Sequence, residues 1–434
     1  MTRPAALDAL VLTFGRIALV GFWFVAVLLV YRGLGASPEG LAQAGFFAVS
    51  IALVKTAAGF ISDPVDLAIM RQVPPLLARQ PARAFEALRA SFALRMAAAG
   101  AAAAAVAAAA PLASLVAPEW AGAAPYLRYA ALAIIGDALI RAVLSTMQVE
   151  ERFKTFVLLE GLVGILRFAA VVALWLLGAM QVDLVLACYA GASFAASALG
   201  YVLLPRGLTA SLATRADDFA KLLHYLKWIV PAMLLAAVNE RLDVFLVYSF
   251  AGAAAAGLYG AALTLALVPD ILGGCLSTLI QPRIMRIHAA GEYGMRQRQF
   301  LAVSLPVCAI GYGLSLLLAE PVFALALGPR YVAAAPAFHW LLAGTLFWLA
   351  VTPLPMTLVA VAAPRRIVLV TLAQSVLVLL GGLLLVPRSG WIGMAQAIFA
   401  MRVAVALLLV AAARGIAAPS DVEIAPAAAA GSAS

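Results

Sequence analysis

Residues 224–250 read HYLKWIVPAMLLAAVNERLDVFLVYSF, and residues 255–281 read AAGLYGAALTLALVPDILGGCLSTLIQ. Each run exceeds the ~20 apolar residues that a helix needs to cross a bilayer. Only four residues separate them, the length of a turn. The first run carries Asn239, Glu240, Arg241 and Asp243 at its centre. Charges in such a place face a bundle interior or a water-filled cavity.

Working outward, the pattern repeats over the whole chain of 434 residues. Apolar residues make up 65%, charged residues only 11%, and the mean hydropathy is +1.05. A soluble domain of this size needs a charged surface that this composition cannot supply. A soluble enzyme, a nucleic-acid binder and a disordered chain are thereby excluded. The fold class is all-α, a polytopic membrane protein. Twelve spans are predicted at 11–31, 42–63, 91–114, 123–144, 154–178, 182–204, 224–250, 255–281, 299–319, 334–360, 366–386 and 390–413. The first is too long for a signal-peptide core and reads as a retained helix.

The net charge of +9 and the pI near 9.7 follow from the positive-inside rule rather than from nucleic-acid binding. With the termini and the even-numbered loops on one side, that side holds 19 Lys and Arg, Arg95 among them. The other side holds four: Arg32, Arg128, Arg330 and Arg388. A twelve-span count therefore places both termini in the cytoplasm. The even split predicts an N-terminal six-helix lobe over 1–206 and a cytoplasmic amphipathic linker over 207–223. A C-terminal lobe over 224–416 and a disordered tail over 417–434 complete the division.

The halves echo each other. Val30-Tyr31 precedes a span opened by Gly45-Phe46-Phe47, and Val247-Tyr248 precedes one opened by Gly257-Leu258-Tyr259. Such internal repeats mark many transporters. Pro64 is expected to break the second span. Pro353 with Pro355 in the tenth span, and Pro269 with Gly273-Gly274 in the eighth, suggest broken helices.

Six cations fall within spans: Arg16, Lys55, Arg141, Arg167, Arg241 and Arg402. Five acids join them: Asp137, Glu160, Glu240, Asp243 and Asp270. Asp137 and Arg141 stand at i,i+4 in the favourable order. Glu160 and Arg167 share a face two turns apart. Arg16 and Arg402 lie nearer span ends and are placed to snorkel. Lys55 has no acid within one turn and is followed by Thr56, Gly59, Ser62, Asp63 and Asp66. It either meets an acid from another helix or lines an aqueous cavity open to an anion.

The four lysines follow Val54, Phe153, Ala220 and Leu226, so no Walker A loop exists. Cys188, Cys275 and Cys308 are scattered, as are His224, His288 and His339. No cofactor and no metal site is expected. Short external loops with few acids speak against an enzyme.

The run Asn239 to Tyr248, then Ala251-Gly252-Ala253, Gly257 to Ala262, and Leu279-Ile280-Gln281-Pro282-Arg283 resembles the polysaccharide exporters and lipid-linked oligosaccharide flippases. These form part of the multidrug/oligosaccharidyl-lipid/polysaccharide (MOP) exporter superfamily. Asp243, Gly257, Tyr259, Pro282 and Arg283 fill the places of the family pattern. Val244 departs from it, since a basic residue often follows the Asp.

The resemblance implies two pseudo-symmetric six-helix lobes around a central cavity. It implies export of undecaprenyl-pyrophosphate-linked oligosaccharide across the bacterial inner membrane, for exopolysaccharide or O-antigen assembly. Lys55 and Arg241, then Arg16 and Arg141, are the candidates for the anionic pyrophosphate headgroup. Asp243, Glu240, Asn239 and Asp137 form the candidate coupling network. The implied partners are the lipid bilayer, the lipid-linked oligosaccharide, a polysaccharide polymerase and export components, with no nucleic acid. The alternatives are a cation-coupled multidrug exporter, a membrane glycan polymerase or glycosyltransferase, and a non-transporting scaffold.

Overall fold

The computed structural model describes residues 21–37, 39–116, 120–204, 216–270, 273, 293–352 and 364–414. The described residues are overwhelmingly helical, because a backbone in lipid must satisfy its own hydrogen bonds. The first half forms α1 (Gly21–Leu34), α2 (Gly40–Arg79), α3 (Pro81–Val116), α4 (Ala124–Val149), α5 (Phe153–Leu176) and α6 (Val182–Val202). The second half forms α7 (Ala216–Ala266), α8 (Tyr293–Ala326), a 3-10 turn (Pro329–Ala334), α9 (Ala335–Ala350) and α10 (Pro364–Arg414).

Among the described residues, nine helices are long and apolar enough to cross a membrane, and α1 is a shorter apolar helix. Two of the nine, Ile229–Asp270 and Leu369–Val410, have 42 residues each. At 1.5 Å per residue each would reach roughly 63 Å, about twice the hydrocarbon core. Both instead fold back on themselves. Gly252 has φ +84° and Gly390 φ +58°, a region that glycine enters without a Cβ penalty. Across the first turn, the Tyr259 hydroxyl reaches Asp243. Across the second, a Cβ on Gly381 would lie 2.8 Å from that of Ala397. Both double helices are hairpins, so among the described residues each supplies two of the expected spans.

The expected breaks are shorter than the sequence suggests. Pro64 does not end the second span, for α2 continues through Pro64, Pro74 and Pro75 to Arg79. A proline removes one backbone bond, which neighbouring helices accommodate. The 64–90 break is thus two helix extensions joined at Gln80. Arg71, Arg79, Arg83 and Arg89 lie on those extensions.

Large side chains point outward along α5, α8 and α10, where Leu176, Leu317, Leu325 and Leu407 are all more than 60% exposed. On a membrane protein this is the lipid-facing surface. The main core lies between the halves, where Tyr31, Tyr248, Tyr259 and Tyr331 are all at most 3% exposed. Helix α2 packs against α7 along its length.

The closest approach is reciprocal. A Cβ on Gly45 would strike the backbone of Ala253, and one on Gly257 would strike the backbone of Leu41. A Cβ on Gly260 would lie 2.9 Å from Ala48. One sequence offset carries Gly45 onto Gly257, Leu41 onto Ala253 and Ala48 onto Gly260, so the first two contacts are each other's counterparts and the third is its own. The repeat read in the sequence is therefore a packing device on a pseudo-two-fold axis.

Four hydrogen bonds from three side chains join the halves at the same end. Arg330 donates to the carbonyls of Ser37 and Gly35, Arg32 to that of Leu325, and Tyr331 to that of Tyr31.

A candidate substrate cavity between the halves

Below this seam, towards the ends that carry the basic loops, lies a cavity of about 1020 Å³. Helices α1, α2, α4, α5, α6 and α7 contribute to its wall. Along α2 the lining runs from Phe47 to Asp66, and along α4 from Asp137 to Gln148. Their periodicity puts the charged side chains Lys55, Asp63, Asp137 and Arg141 on the cavity side.

Of the residues singled out in the sequence, Lys55, Arg141, Arg241, Asp137 and Glu240 all line this cavity. Asp243 and Asn239 do not. They lie behind its wall, 5% and 8% exposed. Asp243 accepts from Tyr259 Oη at 2.7 Å and from the Val244 N–H at 2.8 Å. Arg16 falls outside the described residues, as do Cys275, Pro282, Arg283, Pro353, Pro355, most of the linker and the tail.

The wall carries four cations, Lys55, Arg141, Arg167 and Arg241, and six acids, Asp63, Asp66, Asp137, Glu160, Glu240 and Asp270. Arg141 is held by two of the acids: Nη1 lies 2.8 Å from Asp63 and Nε 3.2 Å from Asp137. The i,i+4 pair expected within α4 is present, and Asp63 from α2 completes it. Arg167 turns towards α4 and α6. Its Nη2 donates to Ser193 at 2.7 Å and lies 3.8 Å from Asp137, with the guanidinium 3.4 Å above the Tyr189 ring. That contact is a cation–π pair.

Two cations neutralise the wall from behind. Arg95 lies 2.5 Å from Asp66 with its side chain fully buried. This corrects its assignment to a loop: Arg95 lies inside α3, and its charge points to α2. Arg402 lies 3.7 Å from Asp270 and donates to Thr345 Oγ1 at 2.6 Å. It turns inward rather than snorkelling, because Asp270 and Thr345 supply partners that lipid does not.

Lys55 differs from these. Among the described residues no carboxylate lies within 4.0 Å of it. Arg241 pairs only with its neighbour Glu240, at 3.2 Å, and Glu240 is 71% exposed. The Arg241 Nε is buried without a partner. A Cβ on Gly59 would lie 2.7 Å from that of Ala237. Gly59 is one turn beyond Lys55, and Ala237 one turn before Arg241, on helices running in opposite directions. Lys55 and Arg241 therefore stand level with each other on one cavity wall.

A family model described as polysaccharide biosynthesis protein matches residues 76–336, more than half of the chain. The chain belongs to the polysaccharide biosynthesis protein family. No curated protein matches it in sequence. Among solved structures it is similar to the lipid II flippase MurJ in an inward closed conformation. The TM-score is 0.68 at 14% identity, covering 92% of this chain and 87% of that one. An inward-facing multidrug resistance transporter of the MATE family gives 0.66 at 14%, covering 93% and 100%. A MOP superfamily transporter from Pyrococcus furiosus gives 0.61 at 13%, covering 93% of each chain. The fold of this polysaccharide biosynthesis protein is that of the MOP superfamily, and the protein crosses the membrane many times.

Proposed function

We propose that this family member is a flippase, not an enzyme, for an undecaprenyl-pyrophosphate-linked oligosaccharide. It carries the lipid across the bacterial inner membrane by alternating access, for exopolysaccharide or O-antigen assembly. Two lobes, 1–206 and 224–416, rock about the seam, joined by a cytoplasmic linker over 207–223. Both termini are cytoplasmic, with the tail over 417–434. A polysaccharide polymerase and export components receive the product.

The observation that carries this reading is Lys55, a cation in the cavity wall with no carboxylate within 4.0 Å among the described residues. An uncompensated ammonium in a low-dielectric site is costly unless an anion meets it. Arg241, level with it, adds a guanidinium with an unused N–H, suited to a phosphate oxygen. Arg141 is paired with both Asp63 and Asp137, which makes it a secondary contact. Arg16 completes the proposed set, and Asp243, Glu240, Asn239 and Asp137 form the coupling network.

The test is movement of a labelled undecaprenyl-pyrophosphate oligosaccharide between leaflets of proteoliposomes. Lys55→Ala and Arg241→Ala should each slow it about tenfold or more, the loss of one charge-assisted hydrogen bond. Wild-type rates from both variants overturn the site.

A second reading is a cation-coupled multidrug exporter, favoured by the six acids in the wall. Unchanged sensitivity to cationic drugs on deletion of the protein disposes of it.

A further inference from the structure

A second cavity, of about 810 Å³, lies at the other end of the molecule. Its size falls within the ~300–1,000 Å³ usual for small-molecule sites. The turn between α1 and α2, the start of α4 and the turn into α6 bound it. The Gly45–Gly257 seam and the aromatic core around Tyr31, Phe47 and Tyr248 separate it from the central cavity.

Its chemistry differs from that of the central cavity. Two amides, Gln43 and Gln181, two carboxylates, Glu39 and Asp183, and two phenols, Tyr126 and Tyr129, line it. An amide offers both a donor and an acceptor in one plane, which matches adjacent hydroxyl groups. A carboxylate accepts two hydroxyl donors. The negative face of a tyrosine ring attracts the C–H face of a sugar. Tyr126 is already set in place, stacked on Phe46 at 5.2 Å with its hydroxyl 3.3 Å from Gln43 Oε1. Arg128 is the only cation in this wall. One cation against two acids disfavours a pyrophosphate.

We propose that this cavity is a binding site for uncharged sugar rings, a glycan subsite distinct from the central one. It adjoins the strap between the halves, since Ser37 lines it and accepts from Arg330. A glycan bound there contacts the turn that opens when the halves part. That the sugar belongs to a lipid-linked substrate rests on the flippase reading; sugar binding itself does not.

The test is saturation-transfer NMR on the purified full chain in detergent. The probes are neutral trisaccharides of glucose, galactose, mannose and N-acetylglucosamine, with inorganic pyrophosphate as competitor. At least one trisaccharide should receive saturation. Gln181→Ala, on an exposed turn, and Tyr129→Ala should weaken its binding about tenfold, with circular dichroism confirming the fold. Lys55→Ala and pyrophosphate should leave it unchanged. No response from any trisaccharide overturns the proposal, as does full binding by both cavity variants. Loss of binding in Lys55→Ala, or displacement by pyrophosphate, also overturns it, because the sugar would then occupy the central cavity. Sugar binding by a protein that moves no lipid would count against the flippase alone.

Discussion

Tyr259 donates its hydroxyl to Asp243 at 2.7 Å, sixteen residues away across the turn at Gly252. Both side chains are buried, 0% and 5% exposed. The bond ties together the two arms of the α7 hairpin just behind the central cavity. Tyr259→Phe leaves the carboxyl short of a donor and should lower stability by about 1–2 kcal/mol. Asp243→Leu combined with Tyr259→Phe should recover most of that loss. Thermal unfolding of the wild type and both variants in detergent measures the difference, and equal losses from the single and double variants would refute the coupling.

Among the described residues Arg95 and Asp66 form the shortest ion pair, with Arg95 fully buried. Removing one member leaves the other charge without a partner. Asp66→Asn should therefore cost on the order of 3 kcal/mol, and Arg95→Met with Asp66→Leu much less. A thermal shift assay distinguishes the two, and a double variant as unstable as the single would exclude uncompensated charge as the cause.

Gly45 and Gly257 admit the opposing backbone where any side chain would intrude. Gly45→Val should separate the halves and abolish transport, and Gly257→Val should do the same. Gly100, with nothing within 4 Å of an added Cβ, is the control and should accept Val. Transport by Gly45→Val at the wild-type rate would contradict the tight seam.

Arg330, Arg32 and Tyr331 close the end opposite the basic loops by bonding to carbonyls of the other half. Cys188 lines the central cavity and serves as a native reporter. In a Cys275→Ser, Cys308→Ser background, an impermeant thiol reagent should reach Cys188 from the basic-loop side of sealed vesicles. From the other side it should react slowly. Arg330→Ala with Arg32→Ala should raise the slow rate several-fold, and no change would show that these bonds do not hold the gate.

The expected spans and the observed helices agree because periodicity and apolar length are local properties. The glycine turn between residues 251 and 254 was legible for the same reason, and so was the Asp137–Arg141 pair, one turn apart. Arg95 was misread because charge alone does not separate a loop residue from one buried against a distant helix. Asp66, which neutralises it, is 29 residues away. Pro64 misled in the opposite direction, since a proline breaks an isolated helix but not one supported by neighbours. Asp63 became a partner of Arg141 only through the packing of α2 on α4, at a separation of 78 residues.

The sequence by itself determined that this is a polytopic helical membrane protein, because lipid demands long apolar runs and intrachain hydrogen bonds. It also singled out Lys55 and Arg241 as costly charges. Only the tertiary structure decided that both stand on one wall, that Arg141 is paired with two acids, and that Asp243 lies behind the cavity. Those outcomes depend on which helix faces meet. Helices far apart in the chain, their glycines admitting close approach, settle that together.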